Sequence, residues 1–377
     1  MTRPMAFFGV TSPYPTVVAV VMAQYQSRVT GRCWVRANST PSASTTAGPP
    51  TAWPAGRGWQ TAGMPGPAQS RSPATDPADD ESVLPAAQAA EVPGVVAFWR
   101  DLGLPGLIDM HIHFMPDNVL AKVWDFFENG RGGAPWPIAY RLPEPQRLAL
   151  LRAFGLRRFT ALLYPHKPGM AAWLNSWAAQ FAARVPDALH TATFFPEPDA
   201  AAYVARAIDD GARIFKAHVQ VGAYDPRDDL LTPVWGQLAE AGVPVVVHCG
   251  SGPAPGHYTG PGPFGEVLAR HPRLTAIIAH LGAPEYGDFL DLADRHPAIY
   301  LDTTIAFTPL FNAGMPFPPS LLPRLGGHGD RILLGSDYPN IPHRYLDQLQ
   351  GLERTGLGRD WLRAVCHDNA ARLLGLG

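Results

Sequence analysis

Cysteine is scarce in this chain. Cys33, Cys249 and Cys366 are widely spaced, odd in number and without a Cys-x-x-Cys pair, so neither a disulfide framework nor a cysteine zinc site is expected. That usage fits a reducing cytoplasm best. Charge is scarce as well: only 16% of the 377 residues are charged, the formal net charge is −2, and no Lys/Arg-rich run occurs. Such a chain has no electrostatic footprint for nucleic acid or an anionic membrane, which leaves a small molecule as the expected partner and a homo-oligomer open. Long apolar runs are missing too. "VVAVVMA", from Val17 to Ala23, is far too short for a membrane span, and Pro13 and Pro15 ahead of it speak against a signal peptide.

What the chain has instead changes character near residue 92. Stretches such as "STPSASTTAGPPTAWPAG" and "SRSPATDPADDES" mix Pro, Ala, Ser, Thr and Gly without an apolar period. They cannot offset chain entropy by burial, so residues 1–91 are expected to form a low-complexity, mostly disordered extension with no function of its own. Residues 92–377 form the expected folded domain. With 46% hydrophobic residues in the chain, a large core is available to it.

From residue 106 onward, short apolar or β-branched runs alternate with helix-length segments. The runs are "GLIDMHIH" (106–113), "FTALLYP" (159–165), "LHTATFFP" (189–196), "ARIFKAHV" (212–219), "VPVVVHCG" (243–250), "LTAIIAHLG" (274–282), "AIYLDTT" (298–304) and "RILLGSDYP" (331–339). Alternating β and α units predict parallel strands, and eight of them over this length match an α/β fold of the (β/α)8 TIM-barrel type. An open doubly wound sheet is the alternative. It should carry a glycine-rich phosphate loop after its first strand, and none is present.

In a closed barrel the carboxyl ends of the strands form one mouth, where chemistry is kept. The polar residues fall there: His111 and His113 on the first strand, Lys216 and His218 on the fourth, His248 on the fifth, His280 on the sixth and Asp337 on the eighth. In "GLIDMHIHFMP" the two histidines are one residue apart, so on a strand both imidazoles face the same side. Imidazole is the commonest protein ligand for divalent transition metals, which makes a shared ion the expected reason for this convergence.

The motifs "DMHIHFMP", "VVVHCG", "IIAHLG" and "LLGSDYP" resemble those of the amidohydrolase superfamily, in particular the amidohydrolase-related branch that includes aminocarboxymuconate-semialdehyde decarboxylase. The resemblance spans about residues 106 to 375 and nothing before residue 92. It implies one divalent metal, usually zinc, held by His111, His113, His248 and Asp337, with His280 as an unliganded catalytic histidine. Three imidazoles and a carboxylate leave room for a water whose pKa such an ion lowers towards ~7. Asp337 could accept the water's proton, while His280 polarises a carbonyl or shuttles that proton; taken alone, Asp337 could equally cap the loop "GSDYPN".

Lys216 admits three roles: a carboxylated bridge between two metals, as in binuclear members of the superfamily, a point charge for a substrate carboxylate, or a structural ion pair. His218 shares its face and is expected to line the same pocket. His166 and Lys167 follow the second strand and either bind an anionic substrate or stand exposed in a loop. His257 and Tyr258 sit in the glycine- and proline-rich stretch after the fifth strand, a candidate rim or lid. His190, His271, His296, His328 and His367 fall away from the mouth and carry no expected role. The function expected is a metal-dependent hydrolase of an ester, lactone or amide. Non-oxidative decarboxylation of a small unsaturated or aromatic acid is the alternative, and a non-catalytic binding barrel the remaining class.

Overall fold

The computed structural model describes residues 84–130 and 136–376. The N-terminal extension up to residue 83, with Cys33 and the run at 17–23, therefore lies outside the described residues. From residue 107 the chain builds eight parallel strands in sequence order: β1 (Leu107–Asp109), β2 (Leu156–Thr160), β3 in two segments (Ala188–Leu189 and Thr191–Thr193), β4 (Ile214–His218), β5 (Val245–His248), β6 (Ala276–Ile278), β7 (Ile299–Asp302) and β8 (Ile332–Leu333). The interruption of β3 at His190 is bridged by a side chain, the Thr191 hydroxyl accepting from the peptide nitrogen of Ala161 at 3.1 Å.

The barrel closes between its last and first strands through backbone hydrogen bonds. Met110 N donates to Leu334 O (2.8 Å), Asp337 N to His111 O (2.8 Å) and His113 N to Tyr338 O (2.7 Å). Period-2 alternation sorts the strands into two layers. Ile108, Met110, Ile214, Val246, Ile277 and Leu333 fill the barrel interior, while Leu107, Phe215, Ala217, Val245, Val247 and Leu301 pack outward against the helices. Above the interior plug, the inward positions of β4 and β5 pass to Lys216, His218 and His248.

The first strand departs from simple alternation. Regular pairing ends at Asp109, the chain bends at Met110, and the histidine pair follows on extended backbone anchored by a bridge from His113 to Leu162. Beyond the bend Ile112 and Phe114 join the outer core, so His111 and His113 face the mouth even though Met110 already points inward.

The boundary at residue 92 needs correction. Residues 84–91, assigned by composition to the disordered extension, belong to the folded domain: Leu84 packs against the core, Ala86–Ala89 is helical and Glu91 is buried. Gln88 Nε2 donates to Ala139 O at 2.8 Å, and the following helix, Val92–Asp101, donates from Trp99 Nε1 to Phe154 O at 2.9 Å. Composition misled because "LPAAQAAEV" continues the alanine-rich texture of the extension, while what holds it is hydrogen bonding to distant segments. Among the described residues no helix is long and apolar enough to cross a membrane.

Candidate metal centre

Each histidine of the first strand is oriented through Nδ1. His111 Nδ1 donates to Asp302 Oδ2 at 2.8 Å, and His113 Nδ1 donates to the Leu162 carbonyl at 3.0 Å. The Nε2 atoms are thereby turned to the mouth. His113 Nε2 lies 2.8 Å from Asp337 Oδ1 and His111 Nε2 lies 3.7 Å from the same oxygen. One ligand atom from each of His111, His113 and Asp337 falls within 4.8 Å of the others.

This donor set fits a divalent cation. Nδ1 of His113 faces a carbonyl and Nε2 faces a carboxylate, yet a neutral imidazole has a single N–H. The 2.8 Å contact to Asp337 thus calls for a cation shared by the two atoms, a proton or a metal ion that both would hold. His111 Nε2 meets a cation already, the Lys216 ammonium at 3.2 Å.

Asp302, which sequence reasoning passed over, organises this corner. It is fully buried at the end of β7. Besides His111 Nδ1 it accepts from the peptide nitrogens of His280 (2.9 Å) and Thr304 (3.1 Å). Burial pushes its carboxyl up, but the attraction and hydrogen bonding of His111, His280 and Thr304 outweigh that and hold it below the usual carboxylate range. His111 in turn is brought down to about 3 by burial and the Lys216 charge, against the pull of Asp302. Imidazole neutral and carboxylate ionised is the state a metal ligand and its supporting group require. Gly335 makes the close packing feasible, because a Cβ there would meet Thr304 Oγ1 at 2.1 Å and His111 Cβ at 2.8 Å.

Two further groups hold conformations that side chains rarely adopt. His280 has φ of 57° and Asp337 of 70°, both left-handed. The bond from His280 N to Asp302 and that from Asp337 N to His111 O stabilise these turns and aim the side chains at the mouth. His280 Nδ1 donates to Thr304 O at 3.2 Å, which leaves Nε2 as an acceptor; burial lowers its pKa. Its ring centroid is 5.1 Å from that of His111. Asp337 is raised by burial, but the His113 hydrogen bond and the nearby imidazoles outweigh this and keep it ionised.

His248 stands beside the three-residue group rather than in it. Its Nε2 donates to Gly252 O at 3.1 Å, and its ring lies 4.7 Å from that of His280. On the other side it stacks on His218 at 4.1 Å and 13°, the two being register partners on β4 and β5. His218 also meets the ring of Tyr164, 4.6 Å away, and Tyr164 lies edge-on to His113 at 5.6 Å. Tyr164 was another omission of sequence reading. Lys216 is fully buried and drops to about 8, burial outweighing the neighbouring Asp302 and Asp337. By contrast His166, Lys167 and His257 are exposed, the ring of His166 reaching Tyr164 at 5.3 Å. Away from the mouth, His328 pairs with Asp294 and His367 with Asp368.

A family model described as amidohydrolase matches residues 108–376, the span that carries all of these groups. The chain belongs to the amidohydrolase family. No curated protein matches it. Among solved structures, an uncharacterized TIM-barrel protein from Bordetella bronchiseptica is 21% identical with a TM-score of 0.56, the match covering 72% of this chain and 98% of that one. The 5-carboxyvanillate decarboxylase of Sphingomonas paucimobilis is 16% identical with a TM-score of 0.51, covering 72% and 100%. At these identities the likeness is one of fold, and it agrees with the eight-stranded amidohydrolase barrel described above.

Proposed function

We propose that this amidohydrolase is a metal-dependent hydrolase that acts on a small carbonyl substrate, an ester, lactone or amide. His111, His113 and Asp337 would hold one divalent ion, with His248, which stands beside that group, as the fourth ligand through the Nδ1 that its bond to Gly252 leaves free, and imidazole with carboxylate suits zinc. When bound, such an ion supplies Lewis acidity and a lowered pKa for water.

The observation that carries the reading is the orientation of His280. Its Nδ1 proton is committed to Thr304 O, so in the neutral ring Nε2 is a proton acceptor. Of the two roles expected for His280 from sequence, carbonyl polarisation or proton shuttling, this orientation supports the second. Asp337, ionised at the same mouth, is a second acceptor. Attack of water on a carbonyl needs a base at the start, whereas decarboxylation through protonation at carbon needs an acid. In this arrangement His280 Nε2 receives the proton of the attacking water and returns it to the leaving group. Lys216, the buried ammonium, pairs with an anionic group of the substrate or with the developing oxyanion. His218 and Tyr164 form an aromatic wall beside it, and His166 and Lys167 reach the substrate only from the rim.

Lys216 also supports the second reading, a non-oxidative decarboxylase, because a buried cation is what a substrate carboxylate would need. Purified protein assayed for metal, then screened with lactones, esters, amides and unsaturated carboxylic acids in oxygen-18 water, with the organic product analysed for the label, separates the two. Label entering the product establishes hydrolysis. Release of carbon dioxide without label uptake replaces it with decarboxylation.

A further inference from the structure

A continuous hydrogen-bonded path runs from the N-terminal segment to the strand that carries the histidines. Glu91, 4% exposed, accepts at Oε1 from the Tyr140 hydroxyl (2.5 Å) and at Oε2 from the Leu346 peptide nitrogen (3.2 Å). The Tyr140 oxygen accepts in turn from Tyr345 N at 2.6 Å. The Tyr345 hydroxyl donates to Asp109 Oδ2 at 2.9 Å, and the other oxygen of Asp109 accepts from His111 N, also at 2.9 Å. Tyr140, Tyr345, Asp109 and His111 are all at most 1% exposed, so water does not compete for these bonds. The Tyr345 ring is fixed by stacking on Phe154, at 5.0 Å and 27°.

We propose that Glu91 is a positioning residue for the metal centre. Its two oxygens pin the first turn of the helix Tyr345–Glu353, that helix holds the Tyr345 hydroxyl against Asp109, and Asp109 sets the peptide from which His111 projects. A carboxylate buried at this distance from the mouth is a poor choice for stability alone, since an apolar side chain of similar size avoids its desolvation. Its use of both oxygens on two separate segments is what a positioning device requires. The proposal rests on the metal reading of His111 and His113, and extends it to a segment that composition had set aside.

A double-mutant cycle tests it, with Glu91→Gln, Tyr345→Phe and the pair, each loaded with cobalt(II) and titrated against a competing chelator, and His111→Ala as reference. Glu91→Gln retains one acceptor and Tyr345→Phe keeps the ring stack, so both are conservative changes, and a thermal melt of each checks that it folds. Each single change is expected to weaken cobalt binding about tenfold, at the low end for groups that orient metal ligands, and to alter the cobalt absorption spectrum. The pair is expected to be no weaker than the worse single variant, because both cut one path. Wild-type affinity and spectrum in Glu91→Gln, or additive losses in the pair, overturn the positioning role while His111→Ala still loses the metal. Full metal retention by His111→Ala overturns the metal reading itself, and the proposal with it.

Discussion

His111 Nδ1 and Asp302 Oδ2 lie 2.8 Å apart although 191 residues separate them in the chain. The second oxygen of the same carboxylate holds the peptide nitrogen of His280. One buried aspartate therefore sets both the tautomer of a proposed metal ligand and the backbone of the proposed base. Asp302→Asn keeps the volume but cannot accept at both oxygens. Metal affinity should fall about 10- to 100-fold, as for groups that orient metal-bound imidazoles, and turnover should fall with it; a metal titration of the variant that matches the parent would remove Asp302 from this role.

Replacing His111 or His113 by alanine takes away one proposed ligand each. Metal content and activity should decline together in both variants. An exposed histidine with no such role would change stability by no more than ~0.5 kcal/mol and leave the metal in place. Asp337→Asn is the informative companion, expected to retain part of the metal through its carbonyl oxygen while losing the proton acceptor. Elemental analysis beside steady-state kinetics reads all three.

Gly335→Ala probes the packing beneath the site. The added methyl would clash with Thr304 Oγ1 and stand 2.8 Å from His111 Cβ, so Thr304, His111 or the backbone after β8 must shift. Overpacking of this kind costs about 1–3 kcal/mol. A lower denaturant midpoint and weaker metal binding are expected; a variant with parental values for both would show that the loop after β8 yields freely.

Lys216 touches His111 from within the barrel. Lys216→Met fills the same space without charge. Under the substrate-binding proposal the chain keeps one metal per subunit, and the Michaelis constant for an anionic substrate rises while metal content stays level. Two tightly bound metals in the parent, one of them lost in the variant, would establish a bridging lysine instead.

The corrected N-terminal boundary makes a sharp comparison between two truncated chains. One that starts at Leu84 should melt like the full chain. One that starts at Val92 lacks Glu91, leaving the Tyr140 hydroxyl and the Leu346 peptide without their acceptor, and each buried unpaired group costs about 1–3 kcal/mol. Equal melting temperatures for the two would return residues 84–91 to the dispensable extension.

The sequence by itself determined the barrel and the position of most of its chemistry. Alternation of apolar and polar residues, and of strand-length with helix-length segments, is a local property. In a parallel barrel it also dictates that strand ends converge, which is why His111, His113, Lys216, His280 and Asp337 were all legible. Only the tertiary structure decided which of their atoms face the mouth. Which imidazole nitrogen is free depends on acceptors brought from elsewhere: Asp302 for His111, Leu162 for His113, Thr304 for His280, Gly252 for His248. Asp302 escaped notice because "YLDTT" reads as an ordinary strand end, and Glu91 because its neighbours are alanines. Both acquire their partners through barrel closure and helix docking, which juxtapose residues that no period or spacing along the chain connects.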